Sequence, residues 1–115
     1  MNKAELKILI ICCLMSLFLV ACKEKDEDKD INPPEITLKG DIVQTINCDS
    51  SVYEDPGYTA YDKEDGDITS LVKRTGEVST KLAYKTYYLK YNVSDKAGNA
   101  AEEKKRTVVV KPLKK

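Results

Sequence analysis

Thr86 to Asp95, TYYLKYNVSD, alternates regularly enough to limit the folds open to this chain. Successive side chains of an extended strand point to opposite faces. Tyr87, Leu89, Tyr91 and Val93 therefore share one face, and Tyr88, Lys90, Asn92 and Ser94 the other. That period of two marks a half-buried antiparallel strand. Asp95-Lys96-Ala97-Gly98-Asn99 supplies turn residues, and the return run KRTVVV completes a hairpin. Shorter runs of the same character come first: Glu35 to Lys39 (EITLK), Ile42 to Ile46 (IVQTI) and Tyr58 to Tyr61 (YTAY). Ile68 to Val72 reads as a strand or a short helical turn, and Lys73 to Thr80 as holding a strand across Gly76. β-Branched residues and tyrosines recur between turn residues throughout. The pattern predicts an all-β antiparallel sandwich of about seven short strands with almost no helix. It spans residues 34–112, about 80 residues, enough for one domain with a modest core, and a basic tail occupies 113–115.

The start of the chain has a different logic. Lys3 and Lys7 precede Ile8 to Val20 (ILIICCLMSLFLV), an apolar run shorter than the roughly 20 residues that a spanning helix needs. Residues 1–21 are read as the helix of a signal peptide, outside the fold proper. Leu19-Val20-Ala21-Cys22 resembles the bacterial lipobox, whose cysteine is diacylated, freed by cleavage and acylated again. Each buried CH₂ contributes about 0.8 kcal/mol, so two or more chains hold where one does not. Cys22 is thus the expected lipidation site and the membrane attachment point. Cys12 and Cys13 leave with the leader, so Cys48 is the last free thiol and no internal disulfide is expected. Without histidine to activate it, Cys48 is read as a small semi-buried apolar side chain.

After Cys22 comes KEKDEDKD, a charge block that cannot bury enough surface to fold. Residues 22–33 are expected to form a lipidated, flexible tether ending at Pro33-Pro34. Stretched at roughly 3.1 Å per residue, Lys23 to Asn32 would hold the domain about 30 Å from the lipid. Such lysine-plus-acidic runs resemble the surface-export signals of Bacteroides-type lipoproteins. An outer-membrane lipoprotein is the expected location, facing the cell surface first and the periplasm as the alternative. The chain has 19 basic and 19 acidic residues; the leader takes two lysines and one glutamate, leaving a balance of about −1. That gives no basic footprint for nucleic acid.

Within the domain the motifs add up to a family. Asp55-Pro56-Gly57, Ala60, Asp62, Asp65-Gly66-Asp67-Ile68 and Asp95-Lys96-Ala97-Gly98-Asn99 occur in order, closed by Arg106-Thr107-Val108-Val109-Val110. Together they resemble the bacterial surface Ig-like domain, also found in certain pesticidal crystal proteins. The resemblance implies an Ig-like β-sandwich, usually extracellular, with no enzymatic activity attached to the fold. Two features depart from the family's pattern: a single copy, and Lys85 where glycine commonly precedes Thr-Tyr. Tyr87 is placed like the corner tyrosine of Ig sandwiches, whose hydroxyl bonds back to upstream backbone.

Chemistry is expected in few places. Asp55, Asp62, Asp65, Asp67 and Asp95, with Glu64 nearby, form a candidate calcium site, because calcium takes 6–8 oxygen ligands. The same aspartates also stabilise turns by bonding their own backbone, and the run lacks the register of an EF-hand loop. No cofactor is expected apart from the covalent lipid and this candidate calcium. Tyr58, Tyr61 and Tyr88, with Tyr53 and Tyr84, are candidates for an outward surface that binds a glycan or a protein partner. Opposed to these stands their use as core volume in a chain without tryptophan. Without histidine, neither a Ser-His-Asp nor a Cys-His set can be assembled. A carboxylate pair running a small hydrolase is the remaining enzymatic reading, and an 80-residue sandwich (about that length) has little room for its cleft. A non-catalytic interaction or presentation module comes first and a glycan-binding accessory lipoprotein second.

Overall fold

In the computed structural model, which describes residues 28–49 and 51–114, the strands follow one another with a single 3₁₀ turn among them. They are β1 (Glu35–Leu38), β2 (Val43–Asn47), β3 (Tyr58–Asp62), β4 (Gly66–Asp67), β5 (Lys73–Thr75), β6 (Lys85–Asn92) and β7 (Lys104–Lys111). The expected leader and Cys22 lie outside the described residues. One sheet has the order β1-β3-β4 and the other β2-β7-β6-β5. Ile68 to Val72 takes the helical alternative, as a 3₁₀ turn at Thr69–Leu71. The strand expected across Gly76 stops at Thr75.

The alternation of β6 does what its period requires. Leu89, Tyr91 and Val93 are buried and Tyr87 half-buried, while Tyr88, Lys90 and Ser94 are exposed. Leu89, Tyr91 and Val93 meet Ile36 and Ala60 from the facing sheet, with Ile68 and Val108, in one core cluster. The Tyr58 ring lies 5.2 Å from that of Tyr91, tilted by 58°. Sheets packed through alternate residues leave their other faces to solvent.

The β6–β7 hairpin keeps one register from Lys85↔Val110 to Tyr91↔Lys104. Beyond it, Ser94 bridges Ala100, and Ala101 N donates to Val93 O at 2.9 Å. Three steps along β6 are thus matched by four along the return strand. The extra residue is a bulge, which bends the hairpin end and re-aims the Asp95–Asn99 turn.

The sandwich is not wholly antiparallel. β2 pairs parallel with β7, from Val43↔Thr107 to Asn47↔Lys111. The chain leaves β1 in one sheet and enters β2 in the other within Lys39–Ile42, so β2 runs beside the last strand in the same direction. Thr107 N reaches Ile42 O at 2.9 Å and Cys48 N reaches Lys111 O at 2.6 Å, closing the pair at both ends.

Candidate functional site

Arg106 has no exposed surface, yet it lies on a strand otherwise read as a valine run. The period of two explains the placement: Arg106, Val108 and Val110 share the inward face of β7. Its guanidinium is fully engaged. Nη2 donates to Lys39 O at 2.8 Å and Gly57 O at 3.1 Å, and Nη1 to Asp41 O. Nε donates to Tyr91 Oη at 3.3 Å and sits 3.5 Å from Asp55 Oδ1. The Tyr91 hydroxyl in turn donates to Asp55 Oδ2 at 2.6 Å, and Arg74 reaches the same oxygen at 3.3 Å. Asp55 Oδ1 also takes the Gly57 amide at 2.9 Å, closing the Asp55-Pro56-Gly57 turn in which Gly57 sits at φ +104°. One buried arginine therefore braces both the corner where the chain changes sheets and the turn before β3.

Burial works against the Asp55 charge. Hydrogen bonds from Tyr91, Gly57 and Arg74, with the charge of Arg106, nevertheless hold its carboxyl below the ordinary carboxylate range. Burial and the bond to Asp55 push the Tyr91 phenol up to about 12, against the pull of Arg106. This constellation is structural. Within it Asp55, one of the candidate calcium ligands, is paired with two arginines, and Tyr91 is a buried tyrosine whose hydroxyl is bonded on both sides.

A second polar cluster occupies the end of the sandwich where the β3–β4 and β6–β7 turns meet the entering chain. Asp30, Asp62 and Asp95 each place a carboxylate oxygen within 4.8 Å of the other two. Asp62 is 1% exposed; its Oδ2 accepts the amides of Glu64 at 2.9 Å and Asp65 at 2.8 Å. Its Oδ1 is buried and has no hydrogen-bond partner, the one such side-chain atom among the described residues. Asp95 is also buried, and the Asn99 amide and side chain each donate to it at 2.8 Å. Burial raises the Asp95 carboxyl, but these bonds and those of the Gly98 and Ala97 amides bring it below its ordinary value. Asn99 Nδ2 also donates to Asp30 O at 3.1 Å, fastening the incoming chain to the turn.

Of the five aspartates expected to share a site, the structure brings together Asp62 and Asp95 and adds Asp30, which the sequence reading assigned to the tether. Asp65 stands beside them and accepts the Lys96 amide at 2.7 Å. Asp67 is turned away, accepting the Thr69 amide at 2.9 Å as a turn cap. No periodicity marks Asp30, which sits in a charge block. Among the described residues, Asp30 already touches the domain, four residues before the expected boundary at Pro34.

The candidate tyrosines do not form one platform. Tyr58 packs into the core, while Tyr61 and Tyr88 stand on the outer faces of opposite sheets. Lys105 Nζ lies 5.0 Å over the Tyr88 ring. Tyr53 is half-buried with its hydroxyl on Gln44, and Tyr84 is exposed at φ 62°, one residue before Lys85. Cys48 is a free, half-buried thiol at the end of β2.

Residues 36–110 match the family model described as "Bacterial surface protein, Ig-like domain". A search of the curated proteins finds no match. Among solved structures, a lipoprotein from Bacteroides thetaiotaomicron is similar, at 26% identity and a TM-score of 0.61. The likeness covers 71% of this chain and 39% of that one. The M60 catalytic domain with two CBM51 domains of Clostridium perfringens ZmpB is similar at 28% identity and a TM-score of 0.51, over 70% of this chain and 8% of that one. This chain thus spans well under half the length of either.

Proposed function

Because this chain belongs to the bacterial surface Ig-like domain family, we propose that it is a lipid-anchored module of the cell envelope that mediates interaction or presentation and performs no catalysis. The observation that carries this is the family match across the sandwich, preceded by the Leu19-Val20-Ala21-Cys22 motif. Three of the carboxylates that a hydrolase could draw on also serve the fold. Asp55 is bonded into the core, and Asp62 and Asp95 are buried. In this reading acyl chains on Cys22 hold the domain in the outer membrane, and a protein or glycan partner meets its exposed faces. A solved neighbour named as a lipoprotein supports the anchor.

Metabolic labelling with palmitate tests the anchor, and protease shaving of intact cells tests the orientation. Label is expected on the parent protein and absent from Cys22→Ser; loss of the domain on shaving places it outside. Label that persists in Cys22→Ser, or a domain that survives while a known surface protein is digested, rejects the corresponding part of the reading.

A further inference from the structure

We propose that Asp30, Asp62 and Asp95 bind one calcium ion that clamps the incoming tether to the end of the sandwich, whether or not the chain is lipidated. The spacing permits it. Two oxygens bound to one calcium at 2.3–2.6 Å lie at most about 5 Å apart, and the three carboxylates offer oxygens within 4.8 Å of one another. Asp62 supplies the independent sign. Its Oδ2 is held by two turn amides, whereas Oδ1 is buried without a donor. A buried carboxylate oxygen left without a partner is costly, and a cation would satisfy it.

Charge points the same way. The ion pairs among the described residues use Asp55, Glu64, Glu102 and Glu103, and none includes a member of this cluster. Three carboxylates gathered from three segments repel one another unless a positive charge stands between them. Each is held in place from the side: Asp95 by Asn99, Asp62 by its own turn, and Asp30 by the Asn32 amide at 2.9 Å on Oδ1. The donor set is all oxygen in a chain without histidine. Carboxylates from separate loops suit the adaptable shell of calcium better than the strict octahedron of magnesium or the nitrogen and sulfur ligands of zinc. Water and nearby carbonyls would complete the shell. The ion would join the tether, the β3–β4 turn of one sheet and the β6–β7 turn of the other.

The test uses the full-length protein in detergent, stripped with chelator and titrated with calcium chloride alone. Calorimetry is expected to show one saturable site with a Kd of about 0.1–1 mM, as in extracellular modules. About 10 mM calcium should raise Tm by roughly 6–20 °C and slow tryptic cleavage after Lys29. Asp62 also shapes its turn, so the deciding variant is Asp30→Asn. Its metal-free Tm should equal or exceed that of the parent, because one of the repelling charges is gone while Oδ1 still accepts the Asn32 amide, and both calcium responses should be lost. No heat and no Tm rise with calcium overturns the proposal. So does an Asp30→Asn variant that responds like the parent, or an equal rise with magnesium.

Discussion

Arg106 shows how much one side chain can organise: its five contacts tie the β1–β2 corner, the Asp55-Pro56-Gly57 turn and Tyr91 together. Removing one partner of a buried pair leaves the other uncompensated, so Arg106→Met should cost about 3–5 kcal/mol in urea unfolding. Adding Asp55→Asn should recover part of that loss, and a double-mutant cycle measures how much. The pH dependence follows from the same group. The Asp55 carboxyl is depressed in the fold, so its stabilisation is present above the ordinary value of 3.8 and lost as pH falls below it. The Tyr91 phenol is raised from 10.0 to about 12, so its contribution is complete below pH 10 and lost as pH climbs through that window. The alkaline loss is on the order of 2–3 kcal/mol, and Tyr91→Phe should flatten it in denaturation curves taken from pH 9 to 12. Tyr84 is a simpler case. A non-glycine residue in the left-handed region is strained, and this one is 84% exposed with little packing to lose. Tyr84→Gly should stabilise by about 0.5–1 kcal/mol. Tyr84 directly precedes Lys85, the residue that stands where glycine is common before Thr-Tyr.

At the level of strands, a glycine decides where β5 ends. Gly76 has φ +95°, and a Cβ there would stand 2.3 Å from Tyr88 O in the neighbouring β6. Gly76→Ala should therefore cost about 2 kcal/mol or more in thermal or urea unfolding, because both the backbone and the contact must give. Much of this architecture was legible beforehand. The inward face of β6 could be read because alternation is local, and the Asp55-Pro56-Gly57 turn because proline and glycine fix their own dihedrals. The same alternation carried back through KRTVVV would have placed Arg106 inside; composition argued otherwise, since arginine is mostly exposed. The parallel β2–β7 pair was not legible, because a strand's own residues do not reveal the direction of a partner some 60 residues away. Asp30 was hidden for a related reason: its partners Asp62, Asp95 and Asn99 are local to turns far along the chain.

On the scale of the whole molecule, docking at Asp30 would shorten the stalk proposed between a lipidated Cys22 and the domain. Lys23 to Lys29 stretched at about 3.1 Å per residue reaches roughly 20 Å, where the longer tether would have reached 30 Å. The domain would then ride closer to the lipid and with less freedom to tumble. The parallel pair adds a mechanical consequence. Suppose the N-terminal side is moored and a partner pulls toward the C-terminal side. The load then runs lengthwise through β2 and β7, and their cross-strand bonds, lying across the line of force, must slide apart together rather than open singly. β1 can peel from β3 first without releasing that brace. In single-molecule pulling, Cys48→Pro, which deletes the donor to Lys111 O, should lower the rupture force. Lys39→Pro, which deletes the donor to Gly57 O, should leave it nearly unchanged. A bead built in this way would yield last where a tethered surface module is tugged hardest.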